Sequence, residues 1–202
     1  IAIHGGAGTI LRSEITREQE NAYMASLKQA LDAGYVVLEQ GGSALEAVKA
    51  AVVVLEDDPL FNAGRGSVFT KNGTHEMDAS IMDGKTLAAG AVAAVQHIRN
   101  PVLLAEAVMQ KSPHVFLTGA GACEFAKQQG LEEAPDEYFF SQFRYNQWQQ
   151  IKETDGYALD HSTSETLQKE KKFGTVGAVA CDAFGNIAAA TSTGGMTNKS
   201  FG

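Results

Sequence analysis

One stretch constrains this chain more than any other: "GTVGAVACDAFGNIAAATST", residues 174–193. Two runs of small and β-branched residues flank the turn-forming "AFG", which reads as a β-hairpin. A hairpin at that spacing brings the end of its second strand beside the start of its first. Thr193 is therefore expected beside Thr175. A polar stretch ends at Phe173-Gly174, so Thr175 stands directly behind a glycine at the head of a buried strand.

A loop glycine followed by a strand threonine is the plain reading, because threonine is a common strand residue. A sharper reading joins three features. A long polar linker, residues 154–172, ends here. Glycine holds backbone angles that other residues cannot, so the Gly174–Thr175 bond can be strained. Threonine supplies a hydroxyl one residue from the Gly174 carbonyl. Attack of that hydroxyl on that carbonyl, followed by hydrolysis, would start a new chain at Thr175. Its freed α-amine has an unperturbed pKa of about 7.7–8.0 and can serve as the base a weak hydroxyl nucleophile needs.

The rest of the chain alternates helix and strand signals. Thr16 with Gln19 and Ser43 with Glu46 are capping boxes, each opening a helix. Gly41-Gly42 separates the two helices, which suggests an antiparallel pair covering one face. "MDASIMDGKTLAAGAVAAVQHI" reads as two strands around Asp83-Gly84. Asn100-Pro101 marks a helix start with Asn as N-cap. "HVFLTG" is a short strand followed by a helix near Gly121, and "SQFRYNQWQQIKE" is a polar helix bearing aromatics. This pattern argues for sheets covered by helices rather than an all-parallel winding.

Composition excludes more than it identifies. With 202 residues the chain suits one sizeable domain or two small ones. Sixteen basic against 24 acidic groups give a net charge of −8, which argues against nucleic acid and anionic membrane as partners. Cys123 and Cys181 make neither a disulfide framework nor a metal pattern. The longest apolar run, residues 50–55, is too short to span a bilayer. No signal peptide is evident, and a cytoplasmic location is expected.

Other motifs carry weaker chemistry. "HGGAG", residues 4–8, is either a plain turn or a place where backbone N–H groups meet an anion. "DDPLFNAGRGS", residues 57–67, is either a connecting loop or one that turns carbonyls onto a hard cation. "GAGACE" lacks the third glycine of a dinucleotide site and reads as a helix start. The five histidines show no ligand spacing; His75-Glu76 with Asp78 reads as a polar strand edge.

Taken in order, "IAIHGGAG", "DPLFNAGRGS", "MDASIMDG", "AGAVAAVQHIRNPVLLAEAVM", "SPHVFLTG", "GTVGAVACD" and "AAATSTGGMTNK" resemble the plant-type asparaginases, also called isoaspartyl aminopeptidases. These belong to the N-terminal nucleophile hydrolases. The resemblance runs from the first residue to the last. It implies an α+β fold, a four-layer αββα sandwich. It implies self-cleavage between Gly174 and Thr175, giving an α subunit of residues 1–174 and a β subunit starting at 175. It makes Thr175 the nucleophile, Thr193 its hydrogen-bonding partner and Asn62 a residue that places it or a water. It implies a structural sodium ion on the carbonyls of Leu55, Glu56, Asp58, Phe61, Ala63 and Arg65, and no organic cofactor. The substrates implied are β-aspartyl dipeptides and asparagine, and the assembly a dimer of αβ units. Groups that grip the substrate are expected beyond Gly202. A glycosylasparaginase-like or taspase-like relative, or a non-catalytic uncut scaffold, is the alternative.

Overall fold

The hairpin forms the centre of the sheet in the computed structural model, which describes residues 1–6, 15–153 and 174–200. Strand β1 is Ala2–His4, β2 Met77–Asp83, β3 Ala89–Val95 and β4 Phe116–Thr118. The hairpin supplies β5 (Val176–Cys181) and β6 (Ile187–Thr193), paired antiparallel with Val176 opposite Ser192. Six strands pair in the order β1-β5-β6-β2-β3-β4, all antiparallel except β3 with β4.

Both capping boxes are made. Helix α1 spans Arg17–Glu39 and α2 spans Ala44–Asp57, with Thr16 and Ser43 accepting from the N3 amides. On α2, Ala47, Val48, Ala51, Val52 and Leu55 recur at helical spacing and are fully buried. Each large aliphatic side chain so buried contributes roughly 1.5–3 kcal/mol. Helix α2 lies on β5 and β6, while α3 (Pro101–Lys111) lies on β2 and β3. The α1–α2 pair covers the sheet in depth rather than side by side: α1 backs α2 and meets the sheet at β1.

The strands alternate as one-sided sheets do. In β6, Ala188, Ala190 and Ser192 are buried and Ile187, Ala189 and Thr191 exposed. Val179 and Ile187 stand more than half exposed on the same open face. Among the described residues there is thus one sheet with helices on one face. The remaining helices are α4 (Gly119–Gln128), α5 (Asp136–Phe139) and α6 (Gln142–Ile151). Among the described residues no helix is long and apolar enough to cross a membrane.

Two local expectations are corrected. Asn100 does occupy the N-cap position of α3, with Pro101 opening the helix, but its side chain makes no capping hydrogen bond; its amide donates to Asp57 Oδ1 at 3.2 Å. The buried Glu56 carboxyl takes the cap's place, accepting from the Val102 N–H at 2.9 Å. The segment around His75 is no sheet edge, since β2 runs between β3 and β6. His75 is buried, its ring 4.2 Å from that of Phe69. The predicted linker, residues 154–172, lies outside the described residues.

Candidate active site

Register alone brings the two threonines together. Val176 faces Ser192, so the next pair along the hairpin is Thr175 with Thr193. The Thr175 hydroxyl donates to Thr193 Oγ1 at 3.2 Å, and the Thr193 hydroxyl donates to the Gly174 carbonyl at 2.8 Å. The Gly195 N–H also reaches Thr193 Oγ1, at 3.0 Å. Each hydroxyl has one proton, and this chain uses both in one direction, from Thr175 to Thr193 to the carbonyl of Gly174.

A second donor reaches that carbonyl from the 57–67 loop. Asn62, 1% exposed, donates Nδ2–H to Gly174 O at 3.2 Å and to Gly195 O at 2.7 Å. Its Oδ1 accepts from the Val68 N–H at 3.1 Å, which fixes the amide's orientation. The carbonyl one bond before Thr175 is therefore polarised by two side chains, while the carbonyl of Thr175 itself lies 2.7 Å from His4 Nδ1. The sequence brings in His4 only as part of a backbone turn; its pairing position on β1, opposite Gly177, is what delivers it. Of the "HGGAG" motif, Ala7 and Gly8 lie outside the described residues.

The loop that carries Asn62 is tightly coiled. Gly64–Gly66 form a single 3₁₀ turn. A Cβ on Gly64 would clash with the Glu56 carbonyl oxygen, and one on Gly66 with the Phe61 oxygen. The Glu56 and Phe61 carbonyls thus pack against the chain where only glycine leaves room. Leu55, Glu56, Phe61 and Ala63 are buried, Asp58 is half-buried and Arg65 is exposed with its guanidinium 5.4 Å over the Tyr138 ring. Neutral main-chain oxygens are the donor chemistry a hard cation takes; of the six residues, the carbonyls of Asp58, Phe61 and Ala63 accept N–H groups of the loop itself. Among the described residues no cluster of three or more His, Cys, Asp or Glu side chains could hold a metal.

Two titratable groups nearby are shifted by burial. The carboxyl of Glu56 is pushed up to about 8, with Ser192, Val102 and Asn100 pulling the other way. The imidazole of His75 is held below its ordinary value by burial, partly offset by the Ser67 backbone. Sequence reading missed one further residue. Arg144 in α6 is fully buried and donates to the Gly66 carbonyl at 3.0 Å. Its signal was faint: one cation between Phe143 and Tyr145 in a helix that mixes polar and aromatic residues.

Fold and site together define an α+β chain with a threonine-centred arrangement suited to acyl transfer. The protein-family model described as Asparaginase matches residues 1–202. An isoaspartyl peptidase of Salmonella typhimurium is 54% identical over 199 residues, covering 98% of this chain and 63% of the relative. One from Escherichia coli is 53% identical over 199 residues, covering 98% and 62%. The isoaspartyl peptidase/L-asparaginase of Homo sapiens is 46% identical over 202 residues, covering 100% and 62%. The chain therefore belongs to this asparaginase family, and it spans a little under two thirds of the length of these curated relatives.

Proposed function

We propose that this chain is the catalytic part of a self-activating threonine hydrolase acting on β-aspartyl amide bonds. One observation carries the reading: two donors, Asn62 and Thr193, converge on the carbonyl that precedes the Thr175 hydroxyl. Donors aimed at an oxygen that gains negative charge lower the barrier to attack on its carbon. Thr175 Oγ attacks the Gly174 carbonyl carbon, and its proton leaves toward Thr193. As the C–N bond breaks, that proton is passed on from Thr193 to the departing Thr175 nitrogen, leaving an ester between Gly174 and Thr175 Oγ and a free α-amine on Thr175. Water cleaves the ester, giving a Gly174 carboxylate and a chain that begins at Thr175.

The matured residue then works on substrate. Its α-amine takes the hydroxyl proton as Thr175 attacks the side-chain acyl carbon of a β-aspartyl dipeptide or of asparagine. The same proton passes to the leaving amine, and water releases aspartate. The names of the relatives support this substrate class over glycosylated asparagine or protein. A sodium ion held by the carbonyls of Leu55, Glu56, Asp58, Phe61, Ala63 and Arg65 would fix the loop that carries Asn62. The open face of the sheet supports a second sheet stacked there, completing the four-layer sandwich, and the working unit we propose is a cytoplasmic dimer of αβ pairs.

Release of aspartate is the test. Incubating the purified full-length protein with a β-aspartyl dipeptide, with asparagine and with N-glycosyl asparagine should give turnover on the first two. Turnover confined to the glycosylated substrate would overturn the substrate class. Aspartate release undiminished in Thr175→Ala would overturn the nucleophile.

A further inference from the structure

The loop that presents Asn62 is gripped from behind by a side chain that lies outside the 57–67 motif. Arg144, on α6, is 0% exposed. Its Nε donates to Gly66 O at 3.0 Å and its Nη2 to Leu60 O at 3.4 Å. Asn62 lies in the chain between those two anchor points. The third arm, Nη1, donates to Gln147 Oε1 at 3.2 Å, one turn along the same helix.

A guanidinium keeps its proton at any physiological pH, so a buried one must be met by acceptors. Its planar fork fixes the directions in which those acceptors stand. The Leu60 and Gly66 carbonyls are therefore held at set angles to α6, and the backbone between them has little freedom. That backbone carries the one side chain whose amide must reach Gly174 O at 3.2 Å and Gly195 O at 2.7 Å together. The carbonyls Arg144 takes are also not among the six assigned to the cation, so the two demands on the loop do not compete.

We propose that Arg144 is a positioning residue: it sets the Asn62 amide against the Gly174 carbonyl by clamping Leu60 and Gly66. Its described hydrogen bonds reach neither Gly174 nor Thr175, and it acts through Asn62. Lysine cannot replace it, because a single ammonium on a flexible stem does not span two carbonyls in fixed directions. The kinetic part of this assignment rests on the self-cleavage reading; the geometric part does not.

The experiment uses the full-length protein, Arg144→Lys, Asn62→Ala and the double variant. Side-chain amide resonances are followed with ¹⁵N-asparagine labelling, that of Asn62 being assigned by its loss in Asn62→Ala. Cutting is followed by intact mass. In folded Arg144→Lys the Asn62 amide signal should move, while that of Asn100 stays. Cutting should slow on the order of ten- to a hundredfold. In the Asn62→Ala background the lysine substitution should slow it no further.

An unmoved Asn62 signal in folded Arg144→Lys overturns the proposal, and so does full additivity of the two substitutions. If the unmutated protein never cuts, the self-cleavage reading fails, and the resonance decides the clamp by itself. Should Arg144→Lys not fold, ¹⁵N-arginine labelling supplies the reciprocal test. The Arg144 Nε signal should shift on Asn62→Ala, and an unchanged signal overturns the clamp.

Discussion

The two ends of one hairpin solve the same problem with opposite consequences. At the turn, the Asp182 carboxylate collects N–H donors from Phe184 at 2.9 Å and Asn186 at 3.0 Å, and the side-chain amide of Asn186 as well. The first amide of α2, on Ala44, reaches it at 3.5 Å. At the far end, the carbonyl of Gly174 collects donors from Asn62 and Thr193. Both ends focus hydrogen bonds on an oxygen. The first oxygen already bears a charge, so the donors stabilise what is there. The second is a neutral amide oxygen, so the same donors favour the charge that attack by Thr175 would create. At the second end the residue that follows the polarised carbon, Thr175, carries a hydroxyl.

This contrast breaks most sharply at Thr175. Thr175→Ala removes the attacking atom, and both the cut and aspartate release should fall by on the order of 10⁴-fold or more, as read by intact mass and product assay. Thr193→Val keeps the volume but deletes one donor. Cutting should slow about 10²–10³-fold while the melting temperature stays close to that of the unmutated protein. A slow cut with a large loss of melting temperature would move Thr193 from chemistry to scaffold.

Glu56 lies between the two behaviours, a buried acid that caps α3 beside the strand of Thr193. Its folded pKa is raised to about 8, above the unfolded value of about 4.3. The folded state therefore binds the extra proton in that window, and stability falls as pH rises from about 4.3 to about 8. Glu56→Gln should flatten that slope and be at least as stable at the upper end, measured by urea midpoints across the range.

The smallest effect belongs to the turn. Asp182→Ala should lower the melting temperature by roughly 2–6 °C and leave cutting unchanged. The Asn186 side chain, followed by backbone N–H groups, holds the Asp182 carboxyl below its ordinary value. Its contribution is thus present above the unfolded value of about 3.9 and lost as pH falls through the lower folded one. The variant and the unmutated protein should converge there.

What could be read in the sequence was whatever rests on near neighbours. Both capping boxes span three residues, and both are made. The hairpin joins residues close in sequence, so the meeting of Thr175 with Thr193 followed from alternation and turn length. What escaped depends on contacts between distant segments. Arg144 and Gly66 are 78 positions apart, and nothing in a polar helix says which cation will be buried. Asn100 stands at the N-cap of α3, but the capping bond comes from Glu56, a carboxyl that tertiary packing brings to Val102 from 46 positions away. His75 looked like an edge residue because strand order, which puts β2 in the sheet's interior, is not written in any short stretch. Asn62 stood out as a motif residue, but its reach to Gly174, 112 positions on, needed the folded loop.

Self-cleavage at Gly174–Thr175 is decided by N-terminal sequencing of the purified full-length protein after incubation near neutral pH. The account predicts a second polypeptide beginning Thr-Val-Gly, present in the unmutated protein and missing from Thr175→Ala. A single uncut chain in both would contradict it.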